Sequence, residues 1–222
     1  MEGKVKSWEE VTASNKRFQR LALWSGVPLN TWRTHRLYNF IARPGTEKAY
    51  QAALDFVAGK ARHHFLTFGG EAGRGKTHLA LGIAWHWLEN DMSTRNWAVK
   101  YYQTESLLDD LRRGYNIDDY ERQLTFDQIL KWLKTVDLLV IDDLGVEKPT
   151  EWARAKLDAI IDARYLNEAK TVFTTNLSIE ALDSRGEQRL ASRMTEGVVE
   201  LLECDDYRRI KAKLHQTGEG SE

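Results

Sequence analysis

Gly70-Glu71-Ala72-Gly73-Arg74-Gly75-Lys76-Thr77 fits G-x-x-x-x-G-K-[ST], the pattern of a loop that wraps phosphate groups in its own backbone. So short a pattern carries weight only in the right setting, and its flanks supply that setting. Upstream, His64-Phe65-Leu66-Thr67-Phe68 is short, apolar and β-prone, which predicts a strand. Downstream, apolar residues at 79, 80, 83, 84, 87 and 88 share one face of a helix over His78–Leu88. Strand, glycine loop and helix follow in the order the pattern requires.

The residue types match the chemistry. Phosphate oxygens need many donors at close range, and glycines at 70, 73 and 75 let the backbone bend and present bare N–H groups. The helix N-terminus adds partial positive charge. Lys76 is placed to reach the β- and γ-phosphates of a nucleotide, and the Thr77 hydroxyl is a ligand for Mg²⁺. The candidate nucleotide-binding residues are therefore Gly70, Glu71, Ala72, Gly73, Arg74, Gly75, Lys76, Thr77 and the adjoining His78. The competing interpretation, a glycine-rich turn without ligand, does not explain why the whole pattern sits between a strand and a helix.

At 222 residues the chain suffices for one α/β domain with a short extension. Its 42% hydrophobic and 29% charged content describe an ordinary globule, and a net charge of −1 gives no global field for nucleic acid. The charge is uneven, however: residues 11–64 hold nine Lys or Arg against Glu47 and Asp55. That surplus suits an acidic partner or a phosphate backbone, or is simply a solvated basic face. One cysteine, Cys204, excludes an internal disulfide and a cysteine-rich zinc site. The start lacks the apolar core of a signal peptide, and no run approaches the length that spans a bilayer. A cytoplasmic protein without membrane contact is expected.

Along the chain, residues 1–45 read as an N-terminal extension broken at Gly26-Val27-Pro28 and Arg43-Pro44-Gly45, with a short helix over Ser14–Trp24. The main domain is expected over 46–216 and a disordered tail over 217–222. Thr46 is the expected cap of a helix ending near Gly59. Trp97–Tyr102 predicts strand two, and helices follow over Thr104–Arg113 and about 120–134. Val136–Ile141 is a nearly continuous apolar run, as in a parallel strand buried on both faces. A helix from Pro149-Thr150 to Leu166, a strand over Lys170–Thr175, two short helices (one capped by Ser178, one over Gln188–Met194) and a fifth strand over Val198–Leu202 come next. Asp205 is the expected cap of a last helix to about His215. Strands alternating with helices imply α/β architecture: a five-stranded parallel sheet covered on both faces.

Three further sites carry chemistry. Leu138-Leu139-Val140-Ile141 delivers Asp142-Asp143 to the carboxyl end of a strand, the edge where open α/β sheets bind ligands. Asp142 would hold Mg²⁺ and Asp143 would orient or deprotonate an attacking water. Thr174-Thr175-Asn176 ends another strand with a neutral polar group, although asparagine also ends strands in plain turns. Arg189-Leu190-Ala191-Ser192-Arg193-Met194 offers cations on a short helix, which on their own fit a surface helix equally well.

These sites, in this order, resemble an AAA+ ATPase of the initiator and helicase-loader group, above all the DnaC/DnaI-type replicative helicase loaders and the IstB-type transposition helpers. The resemblance covers about residues 35–210, and an Asp205-Tyr207-Arg208-Arg209 stretch adds to it. It implies a P-loop core; the 18 residues after Cys204 are too few for the separate C-terminal helical lid of the family pattern, so none is expected here. It implies ATP and Mg²⁺ as cofactors, Asn176 as the sensor 1 residue, and Arg193 as an arginine finger that acts in self-association. The helices over 104–134 match an insertion that lines a path for single-stranded DNA; Arg112 and Arg113 are the candidate contacts, unless they only complement a helix C-terminus. Partners would be a replicative DNA helicase or a transposase. Asp143 departs from the glutamate common in AAA+ proteins, which implies slow hydrolysis, and no sensor 2 arginine is evident beyond Arg208 or Arg209. A small-molecule P-loop kinase and a nucleotide-gated binding module are the readings from other classes.

Overall fold

The structure, a computed structural model, describes residues 16–90, 98–115, 120–145 and 150–210. Its five strands are β1 (Phe65–Gly69), β2 (Val99–Gln103), β3 (Leu138–Leu144), β4 (Lys170–Thr175) and β5 (Val198–Leu201). All pair in parallel, in the order β2-β3-β4-β1-β5. Eight helices are described: α1 (Lys16–Ser25), α2 (Glu47–Val57), α3 (Lys76–Asn90), α4 (Thr104–Tyr115), α5 (Tyr120–Thr135), α6 (Glu151–Leu166), α7 (Ile179–Ser184) and α8 (Gln188–Glu196).

β3 shows why the sheet is central. Leu138 and Val140 join a core with α2 and α3 on one face, while Leu139 and Ile141 join a core with α4, α5, α6, α7 and α8 on the other. A strand covered on both sides must be apolar throughout, which is the run seen in the sequence. The sheet is thus the α/β P-loop core expected.

The stretch before α2 is part of this packing. Ala22, Val27 and Leu37 enter the core formed with α2 and α3. Trp85 donates its indole N–H to Thr31 Oγ1 at 3.0 Å, Trp32 meets Trp85 edge-on, and Arg36 forms an ion pair with Glu89. Each contact fastens the segment to α3.

Two expected caps are corrected. Thr46 occupies the N-cap position of α2, but its side chain makes no capping bond, because the Arg43-Pro44-Gly45 turn brings its hydroxyl back to Arg43, where it accepts from the N–H at 2.8 Å and donates to the carbonyl at 2.9 Å. The last described helical turn starts one residue later than expected: Asp206, not Asp205, accepts the Arg208 N–H at 2.9 Å. Ser178 caps α7 as expected, through the N–H of Ala181, and Thr150, expected only to begin α6, caps it through the N–H of Ala153. The expected helix over Ser14–Trp24 is described from Lys16 onward. Residues 1–15, Trp97, Pro149, the remainder of the last helix and the 217–222 tail lie outside the described residues. Among the described residues, no helix is long and apolar enough to cross a membrane.

Candidate active site

β4 lies between β3 and β1, so the carboxyl ends of β1, β4 and β3 stand side by side. The glycine loop leaves β1, Asn176 leaves β4, and Asp142-Asp143 lies at the end of β3. Strand order alone therefore brings three motifs, distant in sequence, to one edge. The side chains meet there. Lys76 Nζ donates to Asn176 Oδ1 at 2.6 Å, Gly70 O at 2.7 Å and Glu71 O at 2.8 Å. Thr77 Oγ1 donates to Asp142 Oδ1 at 3.1 Å.

The loop conformation demands its glycines. Gly73 has φ 79° and Gly75 φ 101°, left-handed values that disfavour a side chain. A Cβ at Gly73 would also collide with the Asp206 carboxylate, and one at Gly75 would lie 2.7 Å from Phe40 Cε2. Glu71 and Ala72 form the exposed tip, and Arg74 turns away to donate to Leu202 O at 3.0 Å and to Glu71 at 2.6 Å. His78 lies within hydrogen-bond distance of the Arg36 carbonyl, at 2.9 Å, between the rings of His35 and Phe40. Burial pulls the pKa of both histidines down.

Asp142 is almost fully enclosed, 1% exposed, and its carboxylate accepts from three hydroxyls: Thr77, Thr174 and, at 2.7 Å, Tyr101. Burial and the neighbouring Asp142 charge keep the Tyr101 phenol protonated far above its ordinary range, so it stays a donor. Asp143 is half-buried. Burial first, then repulsion from Asp142, raise its pKa, against the pull of Lys76 and Arg208. Burial lowers Lys76, and attraction to Asp143 and Asp142 opposes that.

The C-terminal segment is strapped across the loop. Tyr207 N–H donates to Gly73 O at 3.0 Å, and Arg43 stacks over the Tyr207 ring at 4.5 Å. Arg209 pairs with Asp206 at 3.6 Å, whereas the charge of Arg208 acts on both Lys76 and Asp143. Sequence reasoning missed Tyr101, Asp206 and the hydroxyl of Thr174, and it left Arg208 and Arg209 unresolved. Only Thr174 had a visible signal, its place beside Asn176.

Arg193 is elsewhere. It lines a cleft of about 390 Å³ with Arg62, His64, Phe65, Tyr165 and Glu196, at the amino end of β1. The glycine loop leaves the other end of that five-residue strand, roughly 16 Å away at 3.3 Å per residue. There Arg193 stacks on Tyr165 at 3.8 Å and pairs with Glu196 at 2.9 Å and Asp162 at 3.4 Å; Arg189 shares Asp162 at 3.6 Å. Arg112 pairs with Asp109 at 3.0 Å on α4, and the side chain of Arg113 lies outside the described residues.

The chemistry of this edge fits a magnesium nucleotide. A backbone cradle whose glycines at 73 and 75 leave no room for a Cβ, a buried ammonium, and a hydroxyl beside a carboxylate are the groups that phosphates and a hard cation take. Among the described residues no cluster of three or more His, Cys, Asp or Glu side chains is poised for a metal, and Mg²⁺ held by one or two protein oxygens plus phosphate needs none.

Residues 31–200 match the family described as the bacterial DnaA ATPase domain. The chain belongs to that family. It is 30% identical over 186 residues to the chromosomal replication initiator protein DnaA of Thermotoga maritima, covering 84% of this chain and 40% of DnaA. It is 29% identical over 150 residues to the replicative helicase loader DnaC of Escherichia coli K12, covering 66% of this chain and 57% of DnaC. Its fold is shared with a solved structure of the replication initiator DnaA bound to AMPPCP and single-stranded DNA, at TM-score 0.68 and 22% identity, over 86% of this chain and 56% of that one. The family is thus the AAA+ group that joins DnaA with the DnaC/DnaI-type proteins, as the motifs implied. The chain spans about 40% of the length of the DnaA relatives it matches.

Proposed function

We propose that this protein binds and hydrolyses ATP and uses that cycle to deliver a replicative helicase onto single-stranded DNA. The observation that carries the nucleotide reading is the meeting of Lys76, Asn176, Thr77 and Asp142 at one sheet edge. The name of DnaC, a replicative helicase loader, supports the helicase as partner. The DnaA structure with AMPPCP and single-stranded DNA supports both ligands.

In this mechanism the loop amides and Lys76 hold the β- and γ-phosphates. The three donors of Lys76 are used within the chain, so a phosphate oxygen must displace one of them, and Asn176 is the partner freed to face the γ-phosphate. Mg²⁺ held by Thr77 and Asp142 would neutralise charge on the phosphate oxygens. Asp143 takes a proton from the water that attacks the γ-phosphorus, and its raised pKa favours that acceptance. The bond to the β-phosphate oxygen breaks, leaving ADP and orthophosphate. Arg208 supplies a further cation from the C-terminal strap, in the place of a sensor 2 residue. Arg193 lies too far from its own loop to serve it and acts on a neighbouring subunit's nucleotide, with Arg189 supporting the contact. Arg112 and Arg113 contact the DNA backbone, Arg112 exchanging Asp109 for phosphate.

The test uses a purified hexameric replicative helicase and circular single-stranded DNA. With ATP the parent protein should place helicase on the circle, and Lys76→Ala should not. Orthophosphate release without any acceptor separates hydrolysis from kinase chemistry. Equal helicase loading by parent and Lys76→Ala would overturn the ATP-dependent loading reading.

A further inference from the structure

The register of β3 on β4 breaks at the two acids. Ile141 pairs with Phe173 and Leu144 pairs with Thr175, so Asp142 and Asp143 together face one residue, Thr174. Two residues against one is a β-bulge, a device that re-aims a side chain and leaves a backbone group without its ladder partner. Asp143 pays in conformation for that turn, with φ 57° in the left-handed region that a non-glycine residue rarely adopts. In an unbroken strand, consecutive side chains point to opposite faces. Here both carboxylates act on Lys76.

We propose that Thr174 is the positioning residue that holds this bulge and so aims both acids at the phosphate site. A hydroxyl has one proton to give and lone pairs to accept. Thr174 Oγ1 gives its proton to Asp142 Oδ1 and accepts the N–H of Asp143 at 2.9 Å. The side chain of β4 thereby replaces the ladder bond that the bulge removes, and it joins the backbone of one acid to the carboxylate of the other. Thr174 is fully buried, so no water competes for either bond.

Lone pairs on Asp142 define what it can still do. Oδ1 accepts from Thr77 and Thr174 and is filled; Oδ2 accepts from Tyr101 alone and keeps one lone pair. While Thr77 keeps its bond to Oδ1, Oδ2 is the oxygen that would still be open to a metal or its water. Thr174 fixes which oxygen faces the site.

This inference rests on the nucleotide reading for its consequence and on geometry alone for its first test. Thr174→Val keeps the shape of the side chain and deletes both bonds; Thr174→Ser keeps the hydroxyl. Amide hydrogen exchange in the ligand-free protein should speed up at Asp143 by about tenfold or more in Thr174→Val and stay near the parent in Thr174→Ser. Mg²⁺ titrated into each variant with a fluorescent non-hydrolysable ATP analogue should then show an apparent Mg²⁺ affinity about 10- to 100-fold weaker for Thr174→Val. Affinity for the analogue in EDTA should be unchanged, and Thr174→Ser should restore the Mg²⁺ response. Parent-like Asp143 exchange, or a parent-like Mg²⁺ response, in Thr174→Val would overturn the proposal. Failure of the parent itself to bind the analogue would instead overturn the nucleotide reading, while the exchange result still decides whether Thr174 holds the bulge.

Discussion

Replacing Arg164 with methionine should destabilise the protein by about 3 kcal/mol, although Arg164 touches nothing at the nucleotide edge. The side chain is 0% exposed and its guanidinium donates to four acceptors. Nε donates to Thr171 Oγ1 at 2.9 Å, and one terminal nitrogen donates to Leu133 O at 3.0 Å and Val136 O at 2.9 Å. The other donates to Lys170 O at 2.6 Å. One side chain thus ties the end of α5 to the starts of β3 and β4, the strands that carry Asp142 and Asn176. None of the four acceptors is a carboxylate. Burial pulls the Arg164 pKa down to about 9, against the pull of Asp137, so the group is still charged at pH 7. Methionine fills much of the stem volume and leaves three backbone carbonyls, two buried and that of Lys170 part-buried, without this donor. Each such loss costs about 1–3 kcal/mol, so the three together cost about 3–9 kcal/mol. Removing a desolvated charge returns several kcal/mol of that, hence the net of about 3 kcal/mol. In a chain of this size the Tm should fall by about 6–12 °C. Thermal and urea unfolding measure it, with an unchanged urea m value showing that the two states compared are the same. Arg164→Lys should fall between, since an ammonium cannot span all four acceptors. A Tm at or above the parent's in Arg164→Met would refute the argument that these bonds outweigh the buried charge.

Three further outcomes are expected for ATP hydrolysis. ATP hydrolysis should decline on the acid side as pH drops through the raised pKa of Asp143, earlier than for an ordinary aspartate, because the protonated acid cannot accept the water's proton; a kcat–pH profile checks this, and Asp143→Asn should be slow and flat across the same range. Arg208→Ala should lower kcat by about tenfold or more and Arg209→Ala should not, since Arg209 is held by Asp206; steady-state rates of the two variants distinguish them. Lys76→Ala and Arg193→Ala should each be nearly inactive, and a mixture should recover activity where an intact loop meets a neighbour's intact Arg193. No recovery in co-assembled, folded mixtures would remove the trans role.

Much of the architecture was written locally. The apolar run of β3, the helical face after Thr77 and the cap at Ser178 each depend on residues within a few positions. The glycine loop was legible for the same reason, because its residue types answer to one phosphate group. What could not be read depends on approach between distant segments. Tyr101 reaches Asp142 only because β2 pairs with β3. Asp206 meets Gly73 only because the C-terminal segment crosses the loop, and the sequence points to its neighbour Asp205 as the cap instead. Thr46 looked like a cap and instead closed the preceding turn. Arg164 does not stand out in the sequence, because a basic residue in the last turn of a helix is ordinary; only the packing of α6 against the sheet turns it inward. The bulge at Asp143 has no signature in the sequence, since it is a property of two strands.

Loading, hydrolysis and the trans role of Arg193 all require Lys76 and the loop around it to be a nucleotide site. Isothermal titration of Mg²⁺-ATP into the parent protein and into Lys76→Ala measures that claim without requiring a partner, DNA or turnover. The parent should bind one ATP per chain, and Lys76→Ala should bind about 100-fold more weakly or not at all, because the loop amides alone only partly neutralise the phosphate charge. No binding by the folded parent, or equal binding by both proteins, would contradict the account.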